Sequence, residues 1–286
     1  MATQLSVPAK VSVRMKDALK RFQPILSSAL ARDVNESDTA TIITDLLAEM
    51  FGYDKFHEVT SEHMIRGTFC DLAVEIEGKL RLLIEVKAIG MELREKHMRQ
   101  AANYAANQGL EWVVLTNGIN WQVYKMDFGQ QIREELLVEF NLLEITPRDA
   151  GAITQLYLLS KEGMSKAVLP DYYTHKQATN RFVLGALVMS DPVVAVVRRE
   201  LKKVAPGVKV DIEYLRGLLE REVLKREVVE GEPSEEARKK VQKALAKESK
   251  AKAKKEAGPV GGEFAMETSA PQPADIVAED PTMDIK

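Results

Sequence analysis

The chain has 286 residues, 45 % of them apolar, and 40 Lys and Arg against 43 Asp and Glu leave a formal net charge of −3, as in one or two ordinary water-soluble domains. No apolar run approaches the ~20 residues that span a bilayer, the N-terminus reaches Lys10, Arg14 and Lys16 without the apolar stretch of a signal peptide, and the lone Cys70 cannot form an internal disulfide, so a cytoplasmic, non-membrane protein is expected. The near-neutral balance argues against tight non-specific nucleic-acid binding by the whole chain, because phosphate neutralisation needs Lys and Arg.

In chain order, Val13, Leu19, Phe22, Ile25, Leu26 and Leu30 fall at helical spacing. A second helix is predicted after the cap-like Asn35-Glu36-Ser37-Asp38, with Ile42, Ile43, Leu46, Leu47 and Met50 inward, closing at Gly52. Strands are predicted over 56–60, 70–76 and 80–87, the last two joined by Glu77-Gly78-Lys79 as a compact hairpin. A helix over 92–108 ends at Gly109, and 112–116, Asn117-Gly118 and 120–125 read as strand, turn and strand. That order, helix, three strands, helix, two strands, predicts an α/β layer. Residues 148–230 read almost entirely as helix, with Tyr172-Tyr173-Thr174-His175-Lys176 expected as a loop between two of them. From Gly231 the chain turns basic, with Arg238, Lys239, Lys240, Lys243, Lys247 and Lys250, and is expected to be a solvated helix fraying into a flexible tail; after Gly258-Pro259 it turns acidic and is expected to be disordered. The predicted organisation is therefore 1–147, 148–230 and a charged, largely disordered 231–286, with folded material ending near residue 230.

The hairpin concentrates the chemistry. Centred on Gly78, it sets Asp71 across the ladder from Glu85, and period-two alternation puts Lys87 on the face of Glu85 while Leu72, Val74, Ile76, Ile84 and Val86 face the other way. Two facing carboxylates repel unless something positive lies between them. A hard divalent cation satisfies them, since Mg²⁺ takes one or two carboxylates plus waters and phosphate oxygens. A solvated cross-strand ion pair is the plain alternative, but Leu82-Leu83-Ile84-Glu85-Val86-Lys87-Ala88 has the apolar density of a buried strand, where unpaired charge is costly. Gln100 and Tyr104 stand at i, i+4 on one face of the next helix. Trp112 and Trp121 read as sheet packing and Cys70 as a small core residue.

Asp71 followed by Glu85-Val86-Lys87 resembles the PD-(D/E)XK nuclease signature, with Cys70 where a proline usually stands. Gln100-Ala101-Ala102-Asn103-Tyr104 is similar to the QxxxY element of one branch of that superfamily. Asn35-Glu36-Ser37-Asp38-Thr39, Leu46-Leu47, Phe51-Gly52-Tyr53 and Leu115-Thr116-Asn117-Gly118-Ile119-Asn120-Trp121-Gln122-Val123-Tyr124 resemble the N-terminal nuclease domain of type I restriction enzyme R subunits, across about residues 12–147. The resemblance implies an α/β, restriction-endonuclease-like αβββαβ core, here with a small helical C-terminal domain and a disordered tail. It implies Mg²⁺-dependent hydrolysis of DNA phosphodiesters in restriction, defence or DNA processing, with Mn²⁺ as a substitute metal. Metal-binding roles fall on Glu36, Asp71 and Glu85, the catalytic helper is Lys87, and Gln100 and Tyr104 support the active site near DNA. Glu36 has a second explanation, the preference of helix N-termini for acids. R subunits are longer because a translocase follows, and nothing after residue 147 offers a Gly-rich phosphate loop, so no nucleotide cofactor is expected in this chain. Cutting both strands with one such site calls for two subunits or two encounters, which leaves a homo-oligomer open. The rival reading is a non-catalytic DNA- or partner-binding module that keeps the nuclease fold; a third is a homo-oligomeric scaffold assembled through 148–230.

Overall fold

The structure is a computed structural model that describes residues 5–65, 68–129 and 132–256. The chain folds as two compact units, Met1–Asn180 and Arg181–Lys286. In the first unit the elements run α1 (Ala9–Ala31), α2 (Glu36–Glu49), β1 (Val59–Ile65), β2 (Thr68–Ile76), β3 (Lys79–Val86), α3 (Glu95–Gln108), β4 (Trp112–Thr116), β5 (Asn120–Phe128), β6 (Ile132–Asn141), α4 (Ala150–Leu158), α5 (Lys161–Ser165) and α6 (Val168–Ala178). The αβββαβ order runs from α2 to β4, so the mixed α/β core is present. Among the described residues there is one six-stranded sheet, ordered β1 to β6 without crossing. Only β3 and β4 pair in parallel, and α3 makes the connection between them; every other neighbouring pair is antiparallel, as short connections allow.

Each sheet face has its own core. Leu72, Val74, Ile76, Ile84, Val86 and Trp121 pack with residues of α1, α2 and α4, among them Leu19, Leu26, Ile43, Leu46, Leu47 and Leu156. Cys70, Ala73, Leu83, Val113 and Leu115 pack beneath α3 with Met98, Ala101 and Ala105. With both faces covered, the buried part of β3 from Leu82 to Val86 is apolar apart from Glu85, and β4 is apolar up to its terminal Thr116, as buried parallel strands require. Trp112 and Trp121 are both buried sheet residues, as expected.

Asn35 caps α2, its Oδ1 accepting from the Asp38 N–H at 2.9 Å, and so fixes where Glu36 begins the helix. Beyond the other end of α2, Gly52 has φ +85°, and a Cβ there would stand 2.7 Å from the Arg14 guanidinium. That guanidinium donates to the Met50 and Phe51 carbonyls and pairs with both oxygens of Glu162, fastening α1, the end of α2 and α5 together.

Several sequence expectations change. The first strand is Val59–Ile65, because Asp54 accepts from the Phe56 N–H and pairs with His57, turning the chain over 55–58 and leaving Phe56 exposed. The sixth strand has no counterpart in the sequence pattern; its first five residues are exposed, so the apolar alternation emerges only near its end. Tyr172 to Lys176 lie inside α6 rather than in a loop, with the Tyr173 ring edge-on to Trp112 and its hydroxyl donating to Glu135. On α1, Val13, Ile25 and Leu30 are exposed, and the inward stripe is Val11, Met15, Leu19, Phe22 and Leu26. The compact unit extends past 147 because Ile153, Leu156, Tyr157 and Leu158 of α4 belong to the same core as the sheet.

The second unit holds α7 (Arg181–Val188), α8 (Asp191–Val204), α9 (Ile212–Leu218) followed by a π-helical turn (Leu219–Val223), α10 (Arg226–Val229) and α11 (Glu232–Glu256). Folded structure therefore continues beyond residue 230: Ala237, Val241 and Leu245 of α11 pack with Phe182, Val183 and Leu187 of α7. The acidic stretch 257–286, expected to be disordered, lies outside the described residues. No described helix is long and apolar enough to cross a membrane.

Candidate active site

The site grows from the β2–β3 hairpin. Its turn is the two residues Glu77 and Gly78, at φ +54° and +69°, the geometry of a type I′ turn, and Lys79 already pairs with Ile76. A two-residue turn alone would set Asp71 opposite Ile84. Between the pairs Glu75↔Leu80 and Val74↔Leu82, however, the register shifts, Arg81 being the extra residue on β3. Beyond this bulge Leu72 pairs with Ile84, and one further step sets Asp71 opposite Glu85.

Asp71 does not simply face across a sheet surface. Cys70 and Leu72, two residues apart, lie in the cores on opposite faces, so the alternation of β2 breaks at Asp71. Its Oδ2 accepts from the Val86 N–H at 2.7 Å. A strand N–H points along the ladder, so this carboxylate stands close to the plane of the sheet in place of a backbone acceptor. Glu85 alternates with Ile84 and Val86 and is 2 % exposed.

Lys87, just past the end of β3, gathers the charges. Its Nζ lies 2.9 Å from Glu85 Oε1, 2.6 Å from the Val86 carbonyl and 3.5 Å from Glu36 Oε2. Glu85 Oε2 is buried with no hydrogen-bond partner. Burial raises the Glu85 pKa, and the nearby charges of Asp71 and Glu36 add to that rise against the opposing pull of Lys87. Burial works against the Lys87 ammonium, but the bond to Glu85 and the charges of Glu85, Glu36 and Asp71 outweigh it and hold Lys87 more basic than usual. Glu36 and Asp71 also line a cavity of about 600 Å³ with Ser37, Thr41, Thr44, Asp45 and Lys55. Sequence reasoning passed over Lys55, which pairs with Asp45 at 3.0 Å, and the hydroxyl row Ser37, Thr41, Thr44, whose helical spacing after Glu36 was the available signal.

The remaining predicted residues lie on α3. Tyr104 is buried beneath that helix in the cluster containing Cys70, and burial, with a smaller contribution from Cys70, pushes its pKa up to about 12. The same burial pushes the Cys70 thiol up to about 12, as befits a core residue. Gln100 belongs to α3, but its side chain lies outside the described residues.

Among the described residues no group of three or more His, Cys, Asp or Glu comes together as a metal cage. The donors do fit a hard divalent cation held by one or two carboxylates with water completing its shell: Glu85 Oε2 is an orphaned buried anionic oxygen, and Asp71 stands opposite it in the register.

Fold and site together define a mixed α/β sheet protein with an acidic, lysine-bearing cluster where its central strand ends. Residues 42–139 match the family described as type I restriction enzyme R protein N terminus (HSDR_N), bearing out that resemblance over about a third of the chain. The match runs from α2 into β6 and takes in Asp71, Glu85, Lys87, Gln100 and Tyr104, whereas Glu36 precedes it. No curated protein and no solved structure matches the chain.

Proposed function

We propose that the Met1–Asn180 unit hydrolyses phosphodiester bonds in DNA in a restriction-related role. One observation carries the reading: a buried Glu85 with one oxygen bound by Lys87 and the other unpartnered, opposite Asp71 in the register. Asp71 and Glu85 would hold Mg²⁺ or Mn²⁺, which when bound supplies a Lewis acid and a more acidic water. Glu85 Oε2 gains there the cation its burial demands. Asp71 keeps its second oxygen for the same purpose while Oδ2 stays fixed on the Val86 N–H. Lys87, held as an ammonium by Glu85 and Glu36, orients the attacking water and stabilises the negative charge that develops on the phosphoryl oxygens. The R-protein N-terminal match supports a DNA substrate.

The test is incubation of the full chain with plasmid and short duplexes plus Mg²⁺ or Mn²⁺, beside Lys87→Ala and Lys87→Gln, with circular dichroism confirming their fold. Cleavage by the wild type that both variants lose supports the reading. Wild-type-like cleavage by the variants, or none by the wild type, overturns it. The rival is a non-catalytic DNA-binding module that keeps the same fold. Calorimetry separates the two: Mg²⁺ binding that disappears in Asp71→Asn and Glu85→Gln belongs to the nuclease, and no binding at all to the module.

A further inference from the structure

The Arg181–Lys286 unit carries a surface that the hydrolytic site does not use. α11 is held against α7 by Ala237, Val241 and Leu245, spaced four residues apart. At 3.6 residues per turn, Lys239, Lys240, Lys243, Lys247 and Lys250 fall in a stripe roughly 100° wide on the opposite side. All five are exposed, and among the described residues none takes part in a salt bridge. Glu232 and Glu236 are the acids within that arc, and both precede Lys239. Lysines at i, i+3 and i, i+4, as in Lys239, Lys243, Lys247 and Lys250, repel one another and weaken a helix. A helix face built only for solubility interleaves Glu with Lys, which removes that repulsion; from Lys239 onward this stripe leaves it uncompensated.

We propose that the α11 lysine stripe is a sequence-independent docking surface for the phosphate backbone of duplex DNA. The proposal rests on the chain being a DNA-handling protein. Lys239 to Lys250 span about 17 Å of helix, and duplex DNA presents one negative charge per ~1.7 Å of axis, so the stripe lies along several phosphates at once. A polyanion also relieves the repulsion that solvent leaves in place. Bilayer docking is disfavoured, since an interfacial helix needs a free apolar face opposite its lysines, and the apolar face of α11 is occupied by α7.

The experiment measures fluorescence anisotropy of a labelled short duplex with the full chain, in EDTA so that no metal-dependent cleavage intervenes, across a salt series. Wild type is expected to bind with a log–log salt slope of about −4 to −5, at ~0.9 per phosphate neutralised. Changing Lys239, Lys243, Lys247 and Lys250 together to Gln, which has similar helix propensity, should make the slope shallower by about 3 to 4 and weaken binding at least ~10-fold in 100 mM salt. The same four changed to Arg should retain wild-type binding, and Lys209→Gln, an exposed change outside the stripe, should bind as wild type does. Equal slopes for the wild type and the four-site Gln variant, loss of binding in the Arg variant, or binding to phosphatidylserine vesicles in preference to DNA overturns the proposal. Failed cleavage with an intact Lys-dependent slope leaves the stripe standing and removes the hydrolytic reading; cleavage with equal slopes does the reverse.

Discussion

Lys87 and Glu85 are joined at 2.9 Å through Nζ and Oε1, yet the other Glu85 oxygen is buried without a hydrogen-bond partner. One half of the carboxylate is satisfied and the other half is not. A buried acceptor in that condition destabilises the fold unless a cation completes it, so the stability of this unit is tied to the chemistry at the end of β3.

Metal binding should therefore register as stability. A ligand that binds only the folded state stabilises it by mass action. Mg²⁺ at 100 times its Kd should raise the unfolding free energy of the wild type by about 2.7 kcal/mol, and thermal unfolding of Asp71→Asn and Glu85→Gln should show little of that gain.

Removing Lys87 strips Glu85 of its one described partner. Lys87→Ala should lose about 3 kcal/mol at neutral pH, the lower end of the range for breaking a buried pair, and should cleave DNA about 10²- to 10³-fold more slowly. The sign with pH follows from Glu85, whose folded pKa is raised above its unfolded value by burial first. Unpaired, it takes up a proton more readily in the folded state, so the deficit of Lys87→Ala should shrink as pH falls toward that raised pKa. Denaturant unfolding at several pH values checks both sign and size.

Asp71 has a structural duty that can be separated from metal binding. Asp71→Ala leaves the Val86 N–H, on a fully buried residue, without its acceptor and should cost about 1–3 kcal/mol. Asp71→Asn keeps an oxygen in place and should cost less, while losing Mg²⁺ binding equally. Equal stability of the two variants would show that the bond contributes nothing.

Acid should loosen the fastening made by Arg14. The bidentate Arg14–Glu162 pair holds the Glu162 carboxyl below its ordinary pKa, the hydrogen bond from Arg14 being the main cause. A depressed folded pKa gives stability that is present above the unfolded carboxylate value, about 4.3, and is lost as pH falls through the folded value. Both side chains are about one-third exposed, so the effect is on the order of 1 kcal/mol. Glu162→Gln should flatten the acid limb of a Tm–pH profile below about pH 4 and lower Tm at neutral pH.

The hairpin turn offers a stabilising change. Glu77 sits at φ +54°, a region that suits Asn better than Glu. Glu77→Asn should raise stability by about 0.5 kcal/mol, read as an increase in Tm, with no effect on metal binding.

Local periodicity, turn chemistry and short motifs were enough to settle the mixed α/β order from α2 to β4, the Asn35 cap and the apolar strand carrying Glu85, and they single out Asp71, Glu85 and Lys87 as candidates. They did not reveal β6, an edge strand whose exposed half carries no alternating signal, nor the continuation of folded structure into α11, whose burial depends on α7. Centring the hairpin on Gly78 placed Asp71 opposite Glu85. The actual turn is shorter, and the Arg81 bulge restores that pairing. Whether those two carboxylates share a face was also beyond sequence. Alternation assumes a regular strand, and only the packing of Cys70 and Leu72 into opposite cores turns Asp71 into the ladder to take the Val86 N–H. Lys87 likewise reaches Glu36 across 51 positions of sequence because the β2–β3 hairpin and α2 are pressed together by a shared core. Local patterns select the candidate residues, whereas their distances, burial and the one unpartnered oxygen arise from packing between segments far apart in the chain.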